Sequence, residues 1–132
     1  MINPQKSRLC HTSGVEFLGY RFEGYGLVGC GGAIRISRKN DAKFKQRIRE
    51  LTRRTRGVSM QRRFRELGRF VRGWVNHFRI VPIVTPFRDY DKWIRRRIRA
   101  CYWKQWRRKR TRIAKLRQLG IGEHEAVSQA YC

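Results

Sequence analysis

Acidic residues are scarce in this chain. Nine of its 132 residues are Asp or Glu against 33 Lys and Arg, a formal charge of +24 at pH 7. Such a chain repels itself on every face unless a counter-charged partner is present. The shortage also limits chemistry, because metal-assisted catalysis needs carboxylates that converge. Apart from Glu123 and Glu125, the one close pair is Asp89 and Asp91. On a helix, residues i and i+2 point about 200° apart, so these two cannot share a metal and suit a helix start better. Catalysis by this chain alone is not expected, and neither a metal nor a cofactor is. Cysteine pairs at metal spacing are missing as well. Cys10, Cys30, Cys101 and Cys132 form no C-x-x-C, and His11, His77 and His124 stand at no zinc-ligand spacing. Free thiols are the expectation. No apolar run approaches the roughly 18 residues of a membrane span, and the opening MINPQKSRLC has no secretory hydrophobic region. A non-secreted protein, cytoplasmic in a bacterium or organellar, with no membrane partner, is the expectation.

Helical pattern is abundant. Hydrophobic residues make up 40% of the chain, enough for a core. The stretch Thr85 to Gly120 reads as the organising helix, with Thr85 as N-cap and Pro86 at the first helical position. Phe87, Tyr90, Ile94, Ile98 and Cys101 recur on one face, with Arg97 and Arg108 beside that seam. The opposite face reads Lys92, Arg96, Arg99, Trp103, Arg107 and Arg110, and no acid occurs between Lys92 and Arg117. A solvated face would leave the missing acids and the outward tryptophan without explanation. A polyanion-binding surface accounts for both, with Trp103 placed to stack on an unpaired base.

A second helix is predicted over Ser59–Arg79, capped by Ser59. Met60, Phe64, Leu67, Val71, Trp74 and Phe78 form its seam, and Arg62, Arg65, Arg69, Arg72 and Asn76 a basic outer face. Gly68 and Gly73 interrupt it at a cost of about 1 kcal/mol each against alanine, which suggests close packing or ligand approach. A shorter helix, roughly 40–55, is capped by Asn40 or Ser37 and turns Phe44, Ile48 and Leu51 inward. Arg53, Arg54 and Arg56 follow at its negative end, and Gly57 marks the turn. A short helix from about Gly122 closes the chain.

Residues 1–36 differ. Asn3-Pro4 signals a turn, Val15–Phe22 reads as a strand, Gly24 and Gly26 as a turn, and Leu27-Val28 as another extended piece. Ile34 and Ile36 alternate with Arg35 and Ser37, a strand with one wet face. The glycines around Cys30 match no phosphate-loop pattern and read as a hairpin loop. The expected architecture is mainly α with a small β piece: an N-terminal β-hairpin, a three-helix bundle and a short C-terminal helix.

These residues also carry a resemblance. NPQKS at 3–7 followed by FLGY at 17–20 resembles the end of a group II intron reverse transcriptase palm. IRISRKNDAKFKQRIRELTRRTRGVSMQRRFRELGRFVRGWVNHFR from Ile34, then D-x-W-I-R-R-R-I-R from Asp91 and W-K-Q-W from Trp103, resembles that family's maturase-specific region, the thumb or X domain. The combination of R-G-W with N-x-F at 72–78 and W-K-Q-W carries the specificity. The resemblance implies a palm remnant over 1–36 and a maturase-specific domain over 37–132 that grips group II intron RNA and promotes splicing. It also implies a possible template–primer duplex partner, with Lys6 and Phe17–Tyr20 near the primer end. The family's Tyr-x-Asp-Asp polymerase motif does not occur in this sequence. The family continues into a short Gly-Trp-containing stretch, so the stop at Cys132 reads as a truncation. The candidate RNA contacts are Lys6, Arg38 and Lys39, Arg53, Arg54 and Arg56, and the two basic faces with Trp103. Two other readings stay open. One is an accessory part of a split RNA-directed DNA polymerase whose fingers–palm polypeptide is a separate chain; the other is a generic basic RNA-binding protein.

Overall fold

The computed structural model describes residues 15–23, 33–82 and 85–131. The expectations at Asn3-Pro4, Lys6, Cys10, His11, Gly24–Gly32 and Cys132 lie outside them. Five helices and a three-stranded antiparallel sheet are present among the described residues, a mainly helical fold with a small β piece.

The sheet has the order β1 (Glu16–Phe17), β2 (Tyr20–Glu23), β3 (Ala33–Ile36). The single strand expected over 15–22 is instead a tight hairpin, with Phe17 opposite Tyr20. Its two loop residues, Leu18 and Gly19, both have positive φ, +50° and +88°, which is the twist a two-residue hairpin needs. A Cβ on Gly19 would also lie 2.1 Å from the Asn40 side chain. The positive φ favours glycine there, and any side chain would also force the Asn40 amide to move. Tyr20 then pairs with Ile36 across β3, and Ser37 N–H donates to the Gly19 carbonyl at 2.8 Å.

Ser37 caps α1 (Arg38–Leu51), its Oγ accepting from Asn40 N–H at 3.3 Å. Ser59 does the same for α2 (Met60–Phe78), accepting from Arg62 N–H at 3.2 Å. Helix α3 (Thr85–Gln105) begins at Thr85 rather than after it, so Pro86 is its second residue. That position still needs no N–H partner. Phe44, Ile48 and Leu51 of α1 and Leu67 of α2 form the buried centre. Packed on them are Phe70, Val71 and Trp74 of α2 and Tyr90, Trp93, Ile94 and Ile98 of α3. Phe44 stacks on Trp74 with ring centroids 4.0 Å apart, and Tyr90 lies 4.9 Å from Phe44. Phe64, expected in the seam, is 41% exposed and meets only the edge of this core, 6.2 Å from Tyr102.

The long third helix expected from the sequence is two helices. α3 stops at Gln105, and α4 (Lys109–Gln118) restarts after Trp106–Arg108. No proline or glycine marks the break. It is held from outside, by Arg112, whose Nε donates to the Trp106 carbonyl at 2.9 Å and whose Nη1 donates to the Ala130 carbonyl at 3.2 Å. Arg108, expected beside the apolar seam, is exposed and sits at the cap position of α4. The chain reverses at Gly120 (φ +85°), where Ile121 N–H returns to the Leu116 carbonyl and Gly120 N–H to Arg117. α5 (Glu123–Tyr131) then packs Ala126 and Ala130 back on α4 near Leu116.

Candidate nucleic-acid interface

The arginines divide by what their guanidinium groups meet. The C-terminal end of α1 leaves backbone carbonyls unpaired, as every helix end does. Arg63 of α2 is 4% exposed and donates from Nη1 to the carbonyls of Leu51 at 2.8 Å and Arg53 at 2.9 Å. Arg97 of α3 donates from Nε to Thr52 Oγ1 at 2.6 Å and from Nη2 to the Arg49 carbonyl at 3.3 Å. Burial pulls its pKa below the ordinary arginine value. Cys101 Sγ adds a contact to the Thr52 carbonyl at 3.1 Å. Two cations and a thiol from two helices thus close the negative end of a third. The sequence reading placed Arg97 beside the seam and missed Arg63. The signal for Arg63 was its place four residues before Leu67, on the buried side of α2.

The outer faces are different. Arg65, Arg69 and Arg72 of α2 and Lys92, Arg96 and Arg99 of α3 are all exposed, as are Arg38, Lys39, Arg53, Arg54, Arg107 and Arg110. Arg56 and Arg62, expected among the free contacts, are not free. Both pair with Glu66, at 2.5 and 2.9 Å. Their hydrogen bonds, that of Arg62 first, hold the Glu66 carboxyl below its ordinary value. An acid does therefore serve the basic side of α2, which the helical count had left out. Asp91 likewise pairs with Arg95, at 2.8 Å. Asp41 binds Lys45 at 2.8 Å and accepts from the Tyr90 hydroxyl. Burial, then that bond to Asp41, pushes the Tyr90 hydroxyl above its ordinary range.

Close packing was also expected at the two α2 glycines. A Cβ at Gly73 would meet nothing within 4 Å, and one at Gly68 only Arg72 Nη2 at 3.8 Å. Neither glycine is there to admit another part of this chain's described structure.

Trp103 is half-buried rather than free on an outer face. The Arg112 guanidinium lies 5.2 Å from its ring and Trp106 6.0 Å away, centroid to centroid. Beside it opens a cavity of about 810 Å³ lined by Arg54, Thr55, Ala100, Trp103, Lys104, Arg107 and Arg112. The fold thus gathers Arg54, Trp103 and Arg107 from the expected set. It adds Lys104 and Arg112, which helical periodicity alone does not single out. Arg62, Arg65, Arg69 and Arg72 line no part of this cavity. No helix among the described residues is long and apolar enough to cross a membrane.

No curated protein matches the chain. The family model described as the group II intron, maturase-specific domain matches residues 42–120, more than half of the chain, from within α1 through α4 to Gly120. That domain acts with group II intron RNA and is not catalytic by itself. The chain belongs to the group II intron maturase-specific domain family.

Proposed function

We propose that the chain grips group II intron RNA and promotes its splicing. The observation that carries this reading is the pair of exposed basic faces, on α2 and α3, where Arg65, Arg69, Arg96 and Arg99 find no carbonyl or carboxylate partner among the described residues. Guanidinium groups free of protein acceptors suit bidentate contact with phosphate. In this reading residues 37–132 are the RNA-gripping domain and residues 1–36 the end of a reverse transcriptase palm. The contacts are the exposed arginines and lysines named above, with Lys6 near a primer end.

Contact with several phosphates makes affinity fall steeply with salt, with a log–log slope of several units. Binding of the full chain to a self-splicing group II intron RNA, titrated from low to moderate salt, measures that slope. A splicing assay at low magnesium measures the promotion. A nearly flat slope, or splicing indifferent to the protein, would overturn the reading. Primer extension by the chain alone is not expected.

A second reading, an accessory subunit of a split polymerase, is favoured by one feature. Phe17 and Leu18 at the hairpin tip are 64% and 69% exposed, an apolar edge suited to a fingers–palm polypeptide. Restored primer extension on adding such a polypeptide would support it.

A further inference from the structure

The cavity beside Trp103 is built unlike the open stripes. Ala100, Trp103, Lys104 and Arg107 recur at i, i+3, i+4 and i+7, one face at the end of α3 and its break. The loop after α1 supplies Arg54 and Thr55 opposite, and α4 supplies Arg112. Ala100 is the small side chain in this row, and it leaves the space open beside the indole. Arg112 is fixed in place by the carbonyls of Trp106 and Ala130 and lies over one face of the Trp103 ring, 5.2 Å from its centroid, which holds the indole and leaves its other face for a ligand. Arg54, Lys104 and Arg107 have no ion-pair partner among the described residues, and no carboxylate lines the space.

We infer that this cavity takes one unpaired nucleotide of the RNA, its base against the Trp103 indole and its phosphates among Arg54, Lys104 and Arg107. Three features select that ligand class. The hollow, about 810 Å³, has room for a single nucleotide. The indole face that Arg112 does not cover offers a π-surface to a base of any sequence. Three cations around it without ion-pair partners among the described residues suit the negative phosphates on either side of a nucleotide and would be left unmatched by a neutral aromatic ligand. A paired base cannot enter, because its faces are already covered by its neighbours in the duplex. The site therefore reads a bulge or loop, where the α2 and α3 stripes read only backbone. This inference rests on the RNA-gripping reading and adds a point of discrimination to it.

The experiment uses the full chain and two RNA hairpins, identical except that one carries a single bulged nucleotide. The bulged hairpin is expected to bind on the order of tenfold tighter, the contribution of one stacked base. Trp103→Ala, which removes the stacking surface, and Ala100→Leu, which fills the cavity without touching the indole, are each expected to erase the preference. Arg96→Ala should weaken both hairpins alike. A 4-thiouridine at the bulge, irradiated with the unaltered chain, should cross-link to the peptide holding Trp103, so the proposal does not depend on either variant folding. Equal affinity of the unaltered chain for the two hairpins, or a cross-link mapped elsewhere, overturns the site. If that equality comes with a steep salt slope, the general RNA grip stands without it; loss of binding altogether removes both.

Discussion

The C-terminal end of α1 and the outer faces of α2 and α3 are furnished with the same residue and use it in opposite ways. At the helix end, Arg63 and Arg97 reach inward and meet carbonyl and hydroxyl oxygens at 2.6–3.3 Å. On the outer faces, Arg65, Arg69, Arg96 and Arg99 meet solvent. A formal charge of +24 therefore overstates the surface available to a polyanion. Some of that charge is structural, because a guanidinium is the side chain that can satisfy two orphan carbonyls at once while its stem packs among apolar neighbours. What decides the role is whether the fold brings an acceptor to the arginine.

The sharpest way to break this division is Arg63→Ala. It removes two charge-assisted hydrogen bonds, strands the buried Leu51 carbonyl, leaves the Arg53 carbonyl with only its 3.2 Å bond from Arg56 N–H, and opens a void. Together these should cost about 3–4 kcal/mol in denaturant unfolding. A loss under about 1 kcal/mol would mean that water replaces the guanidinium freely and that the helix end is not truly buried.

A smaller effect of opposite sign is expected at Gly73. It lies inside α2 on the exposed side, with open space where a Cβ would go. Gly73→Ala should stabilise the chain by about 1 kcal/mol through helix propensity alone. If stability rises while intron RNA binds more weakly, the open space at Gly73 is used by the RNA backbone. If both are unchanged, propensity is being overridden by tertiary context.

The pH dependence tests Glu66, the acid that ties up two of the expected contacts. Glu66 has its folded pKa held below the ordinary value of 4.5 by Arg62 and Arg56. Its contribution to stability is therefore complete above that ordinary value and is lost as pH falls through the depressed folded one. The side chain is 27% exposed, so solvent screens the pairs and the effect should be modest. Glu66→Gln should flatten the acid limb of the stability curve and leave the neutral region slightly lower. An unchanged acid limb would show that the two arginines gain nothing from Glu66 and stand as free as their neighbours.

Where the sequence carried a period, it was legible. The seam of α2, the inward face of α1 and the apolar side of α3 follow from spacing, and Ser37 and Ser59 follow from cap chemistry. The errors fall where periodicity carries no signal, at an unusual backbone angle or at a partner off the face being counted. Val15–Phe22 is apolar enough for one strand, and its reversal needs Leu18 at positive φ, which leucine does not advertise. The break at Trp106–Arg108 has no helix-breaking residue; its external tie, Arg112, is anchored in turn to α5. The candidate site was legible in part for the same reason. Trp103 and Arg107 share a helical face, but Arg54 joins them only through the packing of α1 on α3.

The smallest stability effect belongs to the outer face, and it completes the comparison. Arg65 and Arg69 are exposed and unpaired among the described residues, so Arg65→Ala and Arg69→Ala should change unfolding free energy by no more than about 0.5 kcal/mol. Each should nevertheless lower the salt slope of intron RNA binding by about one unit, because each releases one phosphate contact. The double variant should lower it by about two, since independent phosphate contacts add. Arg63→Met, tested at a temperature where it remains folded, should leave the slope where it was. If instead Arg69→Ala destabilises as Arg63→Ala does, or Arg63→Met flattens the slope, then exposure does not separate the two kinds of arginine. The basic faces would then have to be mapped residue by residue rather than read from the fold.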